Sequence, residues 1–522
     1  MPTPPTDAPA PAAPAPIEAA QAPASAGAAP PPIAGGIKVT LGEVLNEISA
    51  YERDGKLELA EDLAERVLRA APNHAHVLHL SGIVAYRRGK IDLAIERMER
   101  SMALSPEVPV YPRNMCEIYR GAGRLDEALR VAHRAIELAP EDSRAHFNHA
   151  LIRYERLELD DALAAADRAI ALDADFPEAH FERAEVLLLA GKLTPGWESY
   201  EWRFKLKQAE GMLPKTDKPQ WDGGPLPEGR LLIVADQGFG DCIQFGRYIP
   251  WVAERAIKPV VACSGDLVPI LKQINGIGRI VTRWEATGDF DAYIPLSGLP
   301  RLAGTTIDTI PATIPYLHPD PAKIAAWKQQ LDAFTPRHKK RIGLVWAGRP
   351  THKNDRKRTV KLHQFAPLFA RPDVAIVTVQ KGDRIDEVGN YFGPAPLVNL
   401  GPTIQDFTDT LAILQSLDRL VTIDTSVAHL AGASGVPTSL ILPYAPDWRW
   451  LHGRDDTPWY PSIKLYRQQR PYDWSGASVA WLGAFGYPPT EFERDHAQIH
   501  RRRAGRHFNC HRHHSALARR QC

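Results

Sequence analysis

The residues most suited to chemistry lie in four stretches of this 522-residue chain. Residues 420–435 read LVTIDTSVAHLAGASG. The apolar run ending at Ile423 has the pattern of a buried strand. Asp424, Thr425 and Ser426 then supply helix-start chemistry, and 427–434 continues as a helix that Gly435 stops. A strand running into a helix gathers unpaired backbone N–H groups and the positive end of the helix dipole at one point, which suits a phosphate. At helical spacing Val427, Leu430 and Ala431 share one face, and His429 lies off it on the side of Ser426. The plainer alternative is a capped helix with an incidental histidine.

A second strand pattern, RLLIVA (230–235), leads into Asp236, Gln237, Gly238, Phe239, Gly240 and Asp241. The full GxGxxG spacing is absent and no acid is suitably placed, so a nicotinamide dinucleotide is not indicated. Gly238 and Gly240 let the backbone approach a substrate. Asp241, near the following helix start, could accept a proton from a hydroxyl nucleophile or could merely cap its helix.

Residues 348–358 follow another strand and cluster Lys353, Arg356, Lys357 and Arg358 beside Gly348. Such cations suit the charge of a leaving diphosphate, and a solvated charge run is the alternative. Gln380 and Lys381 end a further strand of the same series and could line the same cleft. The loop 443–461 holds Trp448, Trp450, Trp459 and Tyr460 with Arg449 and Arg454. Aromatic faces stack on sugars and bases and arginine pairs with phosphate, while core packing explains most tryptophans.

These loops need strands and helices to hold them. Residues 229–335 and 336–490 each read as a strand–helix series, which predicts two Rossmann-like α/β halves with ligand sites beyond the carboxyl ends of the strands. Before them the pattern is all helical and repeats. Gly55, Gly89 and Gly123 are 34 apart, and Ala60, Ala94, Ala128 and Ala162 keep that period, as do Pro72, Pro106 and Pro140. Glycine permits a left-handed helix end, alanine a close helix crossing, and proline a stop. A unit of this length with these marks resembles the tetratricopeptide repeat. The resemblance predicts about five helical pairs across 37–205 and a groove that takes a peptide or protein partner. The fourth unit departs at Leu157, where glycine is missing, and at Ala174, where proline is missing. The fifth has Gly196 in place of alanine, followed by an aromatic stretch, 197–204, that reads as a cap. Residues 206–228 read as a linker. Residues 1–36 form a Pro/Ala-rich tail and 491–522 a basic tail, both without apolar periodicity. His507, Cys510, His511, His513 and His514 are conceivable metal ligands in that last tail, but nothing fixes their geometry, and no metal is expected.

The net charge of +1 gives no bulk attraction to nucleic acid or an anionic membrane. Five scattered cysteines form neither a metal spacing nor a disulfide framework, which points to a reducing compartment. No apolar run is long enough to span a membrane and no signal-peptide pattern opens the chain, so a cytoplasmic location is expected.

GFGDCIQFGRYIP (238–250) and DTSVAHLAGASGVP (424–437) resemble the two signature stretches of the ADP-heptose:lipopolysaccharide heptosyltransferases, glycosyltransferase family 9. The resemblance is confined to such motifs within about residues 230–470. It implies the GT-B fold of two Rossmann-like halves and inverting, metal-independent transfer from a nucleoside-diphosphate sugar to a hydroxyl of a protein or glycan, with no cofactor. It assigns Asp241 as the base. Asp424, Thr425 and His429 would hold the donor diphosphate, with Ser426 standing where the family has glycine. For the family's donor-contacting lysine the candidates are Lys357, Arg356 and Arg358. Repeats joined to such a domain also resemble a broad group of bacterial repeat-containing glycosyltransferases. By architecture they resemble the O-linked N-acetylglucosamine transferases too, whose catalytic motifs are absent here. The alternative is a repeat scaffold whose transferase-like domain is inactive.

Overall fold

The computed structural model describes residues 40–474, Ile257 and Lys353 apart. The two tails, with the five His and Cys candidates, and Lys353 lie outside the described residues. The chain divides into two compact units, with the boundary between residues 210 and 211.

The first unit is a stack of helical pairs: α1 (Leu41–Arg53) with α2 (Leu57–Ala70), α3 (Ala75–Arg87) with α4 (Ile91–Leu104), α5 (Val110–Gly121) with α6 (Leu125–Leu138), α7 (Ser143–Glu155) with α8 (Leu159–Leu172), and α9 (Pro177–Leu189) with α10 (Leu193–Tyr200). Each repeated sequence mark has a structural cause. Ala60, Ala94, Ala128 and Ala162 are fully buried where paired helices cross. At Gly196 a Cβ would lie 2.6 Å from Leu188 Cδ2, so that crossing is closer still. Gly55, Gly89, Gly123 and Gly191 all sit at φ between 75° and 78°.

Leu157 takes the same left-handed conformation, φ 59°, without being glycine. The helix end is nevertheless built the same way: the Glu158 N–H donates to Arg153 O at 3.0 Å, as that of Lys90 donates to Ala85 O at 2.9 Å. The leucine is half-buried there and carries a backbone cost that glycine would avoid. The proline missing at 174 is replaced by Pro177 at the first position of α9, where its lack of an N–H costs nothing. The aromatic stretch after Gly196 is not one helix: α10 ends at Tyr200 and a tighter 3₁₀ turn covers Glu201–Lys205. There Trp202 stacks on His180 with ring centroids 3.6 Å apart.

The second unit holds two wholly parallel sheets. The first joins β1 (Leu231–Val234), β2 (Val260–Ala262), β3 (Arg279–Val281) and β4 (Ala292–Pro295) in the order β3-β2-β1-β4. The second joins β5 (Lys340–Val345), β6 (Val374–Thr378), β7 (Leu397–Asn399), β8 (Arg419–Ile423), β9 (Thr438–Leu442) and β10 (Ile463–Arg467) in the order β10-β9-β8-β5-β6-β7. The apolar run LLIV and the mixed run TSLIL are buried along their whole length, as strands covered on both faces must be. The short strand β7 had no clear sequence signal because its residues are only half-buried.

Part of the expected linker belongs to this unit. Gln220 bridges Tyr293 in parallel, the Trp221 N–H donates to Tyr293 O at 2.8 Å, and buried Trp221 packs on Trp251. Its Gly and Pro content reads as linker, whereas Trp221 anchors it beside β4.

Arg247 ties the two sheets' surroundings together. Buried, it donates from Nε to Gln244 O at 2.9 Å and from Nη1 to Trp459 O at 2.8 Å and Pro311 O at 3.2 Å, and its guanidinium stacks 4.6 Å from the Tyr460 ring centroid. Tyr316 joins the same knot: its hydroxyl donates to Ile243 O at 2.9 Å and its N–H to Ala433 O at 3.0 Å.

Two stability measurements check these readings. Gly89→Ala meets no atom within 4 Å, so its cost is the backbone conformation alone, about 1 kcal/mol by urea unfolding. Arg247→Ala leaves two buried carbonyls unpaired and is expected to cost about 2–4 kcal/mol, against near-neutrality if the knot were incidental.

Candidate functional site

Both sheets place their strand-order reversal beside the candidate residues. In the first, β1 lies between β2 and β4, and the loop leaving β1 carries Asp236, Gln237, Gly238, Gly240 and Asp241. In the second, β5 lies between β8 and β6, and the loops leaving β5 and β8 carry the 348–358 cations and Asp424, Thr425 and Ser426. Crevices at such switch points are where ligands bind in open parallel sheets.

Two eight-residue helices start there. Phe239–Gly246 follows Gly238 as N-cap, and Ser426–Ala433 follows Thr425 as N-cap, with Gly435 at φ 75° just beyond it. They pack on each other closely: a Cβ at Gly240 would lie 2.7 Å from His429 Cδ2. Glycine is needed at 240 because a histidine ring occupies the space a side chain would take.

Asp241 does not cap its helix. Its carboxylate is ion-paired with Arg449 Nη2, which also donates to Gln237 Oε1 at 3.3 Å. Arg449 Nη1 donates to both oxygens of Asp447, at 2.8 and 3.0 Å, and the Arg449 backbone N–H donates to Asp447 Oδ1 at 3.0 Å. The guanidinium lies 4.3 Å from the ring centroid of buried Trp448. Behind them Asp236 accepts from the Ser297 N–H at 3.0 Å and from its hydroxyl. Burial raises the Asp241 pKa above the ordinary carboxylate value, Arg449 opposes this, and Asp447 and Asp236 add to the rise.

On the second side, Arg358 Nη1 donates to the carbonyl of Asp424 at 3.0 Å, fastening the 348–358 loop to the end of β8. A Cβ at Gly348 would lie 2.5 Å from Arg358 Nη2, so this glycine makes room for the arginine. Arg356 is exposed and Lys357 half-buried. Burial and the Asp447 carboxylate push the Asp424 carboxyl up, with Arg358 opposing. Asp447 is driven the other way: burial would raise it, but the Arg449 guanidinium outweighs that.

His429 is buried, and burial followed by the Arg449 charge lowers its pKa to about 3. It is therefore neutral at neutral pH, and its Nε2, 4.0 Å from Asp424 Oδ1, makes no charge pair there. Its Nδ1 shares a hydrogen bond with the Tyr460 hydroxyl at 3.0 Å. The Thr425 hydroxyl oxygen is buried without a hydrogen-bond partner among the described residues, so the helix-start capping read from the sequence is not made by this side chain.

Other candidates serve the scaffold. Gln380 is buried, with Oε1 accepting from the Trp346 and Ala347 N–H groups at 3.1 Å and Nε2 donating to Ala347 O at 3.0 Å, so its amide pins β5 to β6 and is not open to a substrate. Lys381 Nζ donates to Ile404 O at 2.6 Å. Trp450, Trp459 and Tyr460 are fully buried and Arg454 pairs with Asp456 at the surface, which favours packing for most of that aromatic loop. Sequence reasoning passed over Asp447, Arg247 and the pairing of Gln237. Only Asp447 carried a signal, an aspartate two residues before an arginine at a turn.

Several comparisons bear on these units. The tetratricopeptide repeat family matches residues 45–109, 117–175 and 147–194. Protein FlbA of Caulobacter vibrioides is 29% identical over 316 residues, 54% of this chain and 51% of that protein. The chain thus spans about half the length of this curated relative, and the match, longer than the first 210 residues, extends into the second unit. Among solved structures, TTC0263, a tetratricopeptide protein of Thermus thermophilus, is 24% identical, covering 32% of this chain and 90% of its own at a TM-score of 0.29. MamA from Desulfovibrio magneticus RS-1 is 18% identical, covering 32% and 95% at 0.29. No helix among the described residues is long and apolar enough to cross a membrane.

The buried neutral histidine makes a pH prediction. A folded pKa depressed from 6.5 to about 3 gives stability that is complete above pH 6.5 and lost as pH falls toward 3. Urea unfolding of the protein and of His429→Gln should therefore diverge in that window. The wild type should lose up to ~1.4 kcal/mol more per pH unit, whereas parallel curves would show a solvated imidazole. The N-terminal unit is a stack of tetratricopeptide repeats, and it precedes an α/β unit of parallel sheets.

Proposed function

We propose that the second unit is a family 9-like, heptosyltransferase-like glycosyltransferase of GT-B architecture, and that the repeats recruit a protein partner or the acceptor. The observation that carries this reading is the meeting of two helix starts from two parallel sheets, with Gly240 against His429 and Asp241 beside Arg449. A nucleoside diphosphate fits the second side. The helix start at Thr425 and Ser426 and the unpartnered Thr425 hydroxyl lie there, and Arg358 is fastened to the Asp424 carbonyl beside them. Ser426, the departure from the family pattern, is half-buried at the first helical position, where its side chain leaves its own N–H available.

In the reaction, Asp241 takes the proton of an acceptor hydroxyl. That oxygen bonds to the anomeric carbon on the face opposite the diphosphate, and the bond from carbon to diphosphate oxygen breaks with its electron pair on the leaving group. One displacement inverts the centre. Arg358 and the helix start compensate the departing charge, to which the uncharged His429 adds none.

One observation favours the second reading, a non-catalytic scaffold: Asp241 is already ion-paired and buried. Screening nucleoside-diphosphate sugars for slow hydrolysis by the full chain separates the two, since a scaffold releases no nucleoside diphosphate. With the donor so found, Asp241→Asn should lower turnover by ~10²–10⁴-fold while still binding nucleotide, and unchanged turnover would remove Asp241 from the base role.

A further inference from the structure

We infer that Arg449 is a donor-operated latch on the base: it holds Asp241 when the site is empty and exchanges that carboxylate for the donor diphosphate. The inference rests on the transferase reading and concerns the same site.

Its ground is the placement of one guanidinium. Arg449 stands on the loop after β9, in the second half, yet its Nη2 is bound to Asp241 and Gln237 of the first. Nη1 is held separately by both oxygens of Asp447, whose carboxylate also accepts from the Arg449 backbone N–H. The two ends of the fork therefore differ. One is anchored to a neighbour two residues away on the same turn, and the other reaches across to a carboxylate on a different helix. The guanidinium plane rests on Trp448, which lets it pivot without losing its apolar support. Its charge also acts on Asp424 and His429, so it lies within electrostatic reach of the start of the helix Ser426–Ala433.

Asp241 and Asp447 pair with this arginine, and Asp424 feels its charge. A diphosphate entering beside Thr425 offers a denser negative charge and a geometry the fork matches equally well. Moving Nη2 to a phosphate oxygen leaves Asp241 without its cation in a buried setting, where a carboxylate binds a proton more strongly. The acceptor hydroxyl then meets a base that exists only once the donor is in place, which would suppress proton transfer and donor loss out of order. Asp447 keeps Nη1 throughout and is the positioning residue.

The exchange has a signature that an ordinary structural ion pair lacks: the carboxylate competes with the nucleotide. Calorimetry of the full chain with ADP, GDP and UDP is the test. For whichever nucleotide binds, Arg449→Gln should weaken binding about tenfold or more, with Arg449→Lys between it and wild type. Asp241→Asn should tighten it several-fold, because the competitor is gone. Nucleotide bound equally, within about twofold, by wild type and both variants overturns the latch and leaves the transferase reading standing. Binding that Arg449→Gln weakens and Asp241→Asn does not tighten also overturns it, making Arg449 a plain donor contact. If wild type binds none of the three, the transferase reading falls and the latch with it. Should Arg449→Gln melt below the assay temperature, the sign of the Asp241→Asn change decides alone.

Discussion

Placing the Arg449 guanidinium away from water is costly unless its donors are met, and meeting them fixes both loops around it. Asp447 and Asp241 come from the ends of different sheets and supply the acceptors, while Gln237 supplies a neutral one. Each carboxylate gains a cation at that depth, and each loop gains a partner from the other half. The pairing makes the two halves of the α/β unit interdependent at the point where their switch-point loops meet. Arg247 does the same a short way off with carbonyls and aromatic faces in place of carboxylates.

The surrounding chemistry follows from burial acting with opposite sign on different groups. It keeps His429 neutral and pushes the carboxyl of Asp424 toward protonation, while Asp447 stays ionised because the arginine is bound to it. A site with several carboxylates and few cations would repel a diphosphate if all were charged. The rise at Asp424 lessens that repulsion, and the helix start at Thr425 adds N–H groups that carry no counter-charge.

The solenoid depends on a different constraint, the close crossing of paired helices, and tolerates exceptions elsewhere. Alanine at 60, 94, 128 and 162 and glycine at 196 are dictated by space. Glycine at the turns is dictated by backbone conformation, a smaller cost, which Leu157 carries. Proline moves from one side of a loop to the other, between 140 and 177, without loss because it stops one helix or starts the next.

The repeats were legible because helix crossing and turn geometry impose residue types at fixed spacing. The parallel strands were legible because burial on both faces demands unbroken apolar runs; β7, half-buried, left no such trace. Gly240 and His429 were each visible as motif residues, but their contact was not, since nothing local to either names the other. Gln380 looked like a cleft residue by its place after a strand, and its amide proved to be consumed by the backbone of β5's exit. The chain's sequence by itself determined the helical pairs, the parallel sheets and the loops that carry polar residues, because these answer to local propensity and periodicity. Only the tertiary structure decided that Arg449 reaches Asp241 and that His429 is neutral. Partners brought together from distant parts of the chain, and the depth at which they lie, are properties of packing that no local pattern encodes.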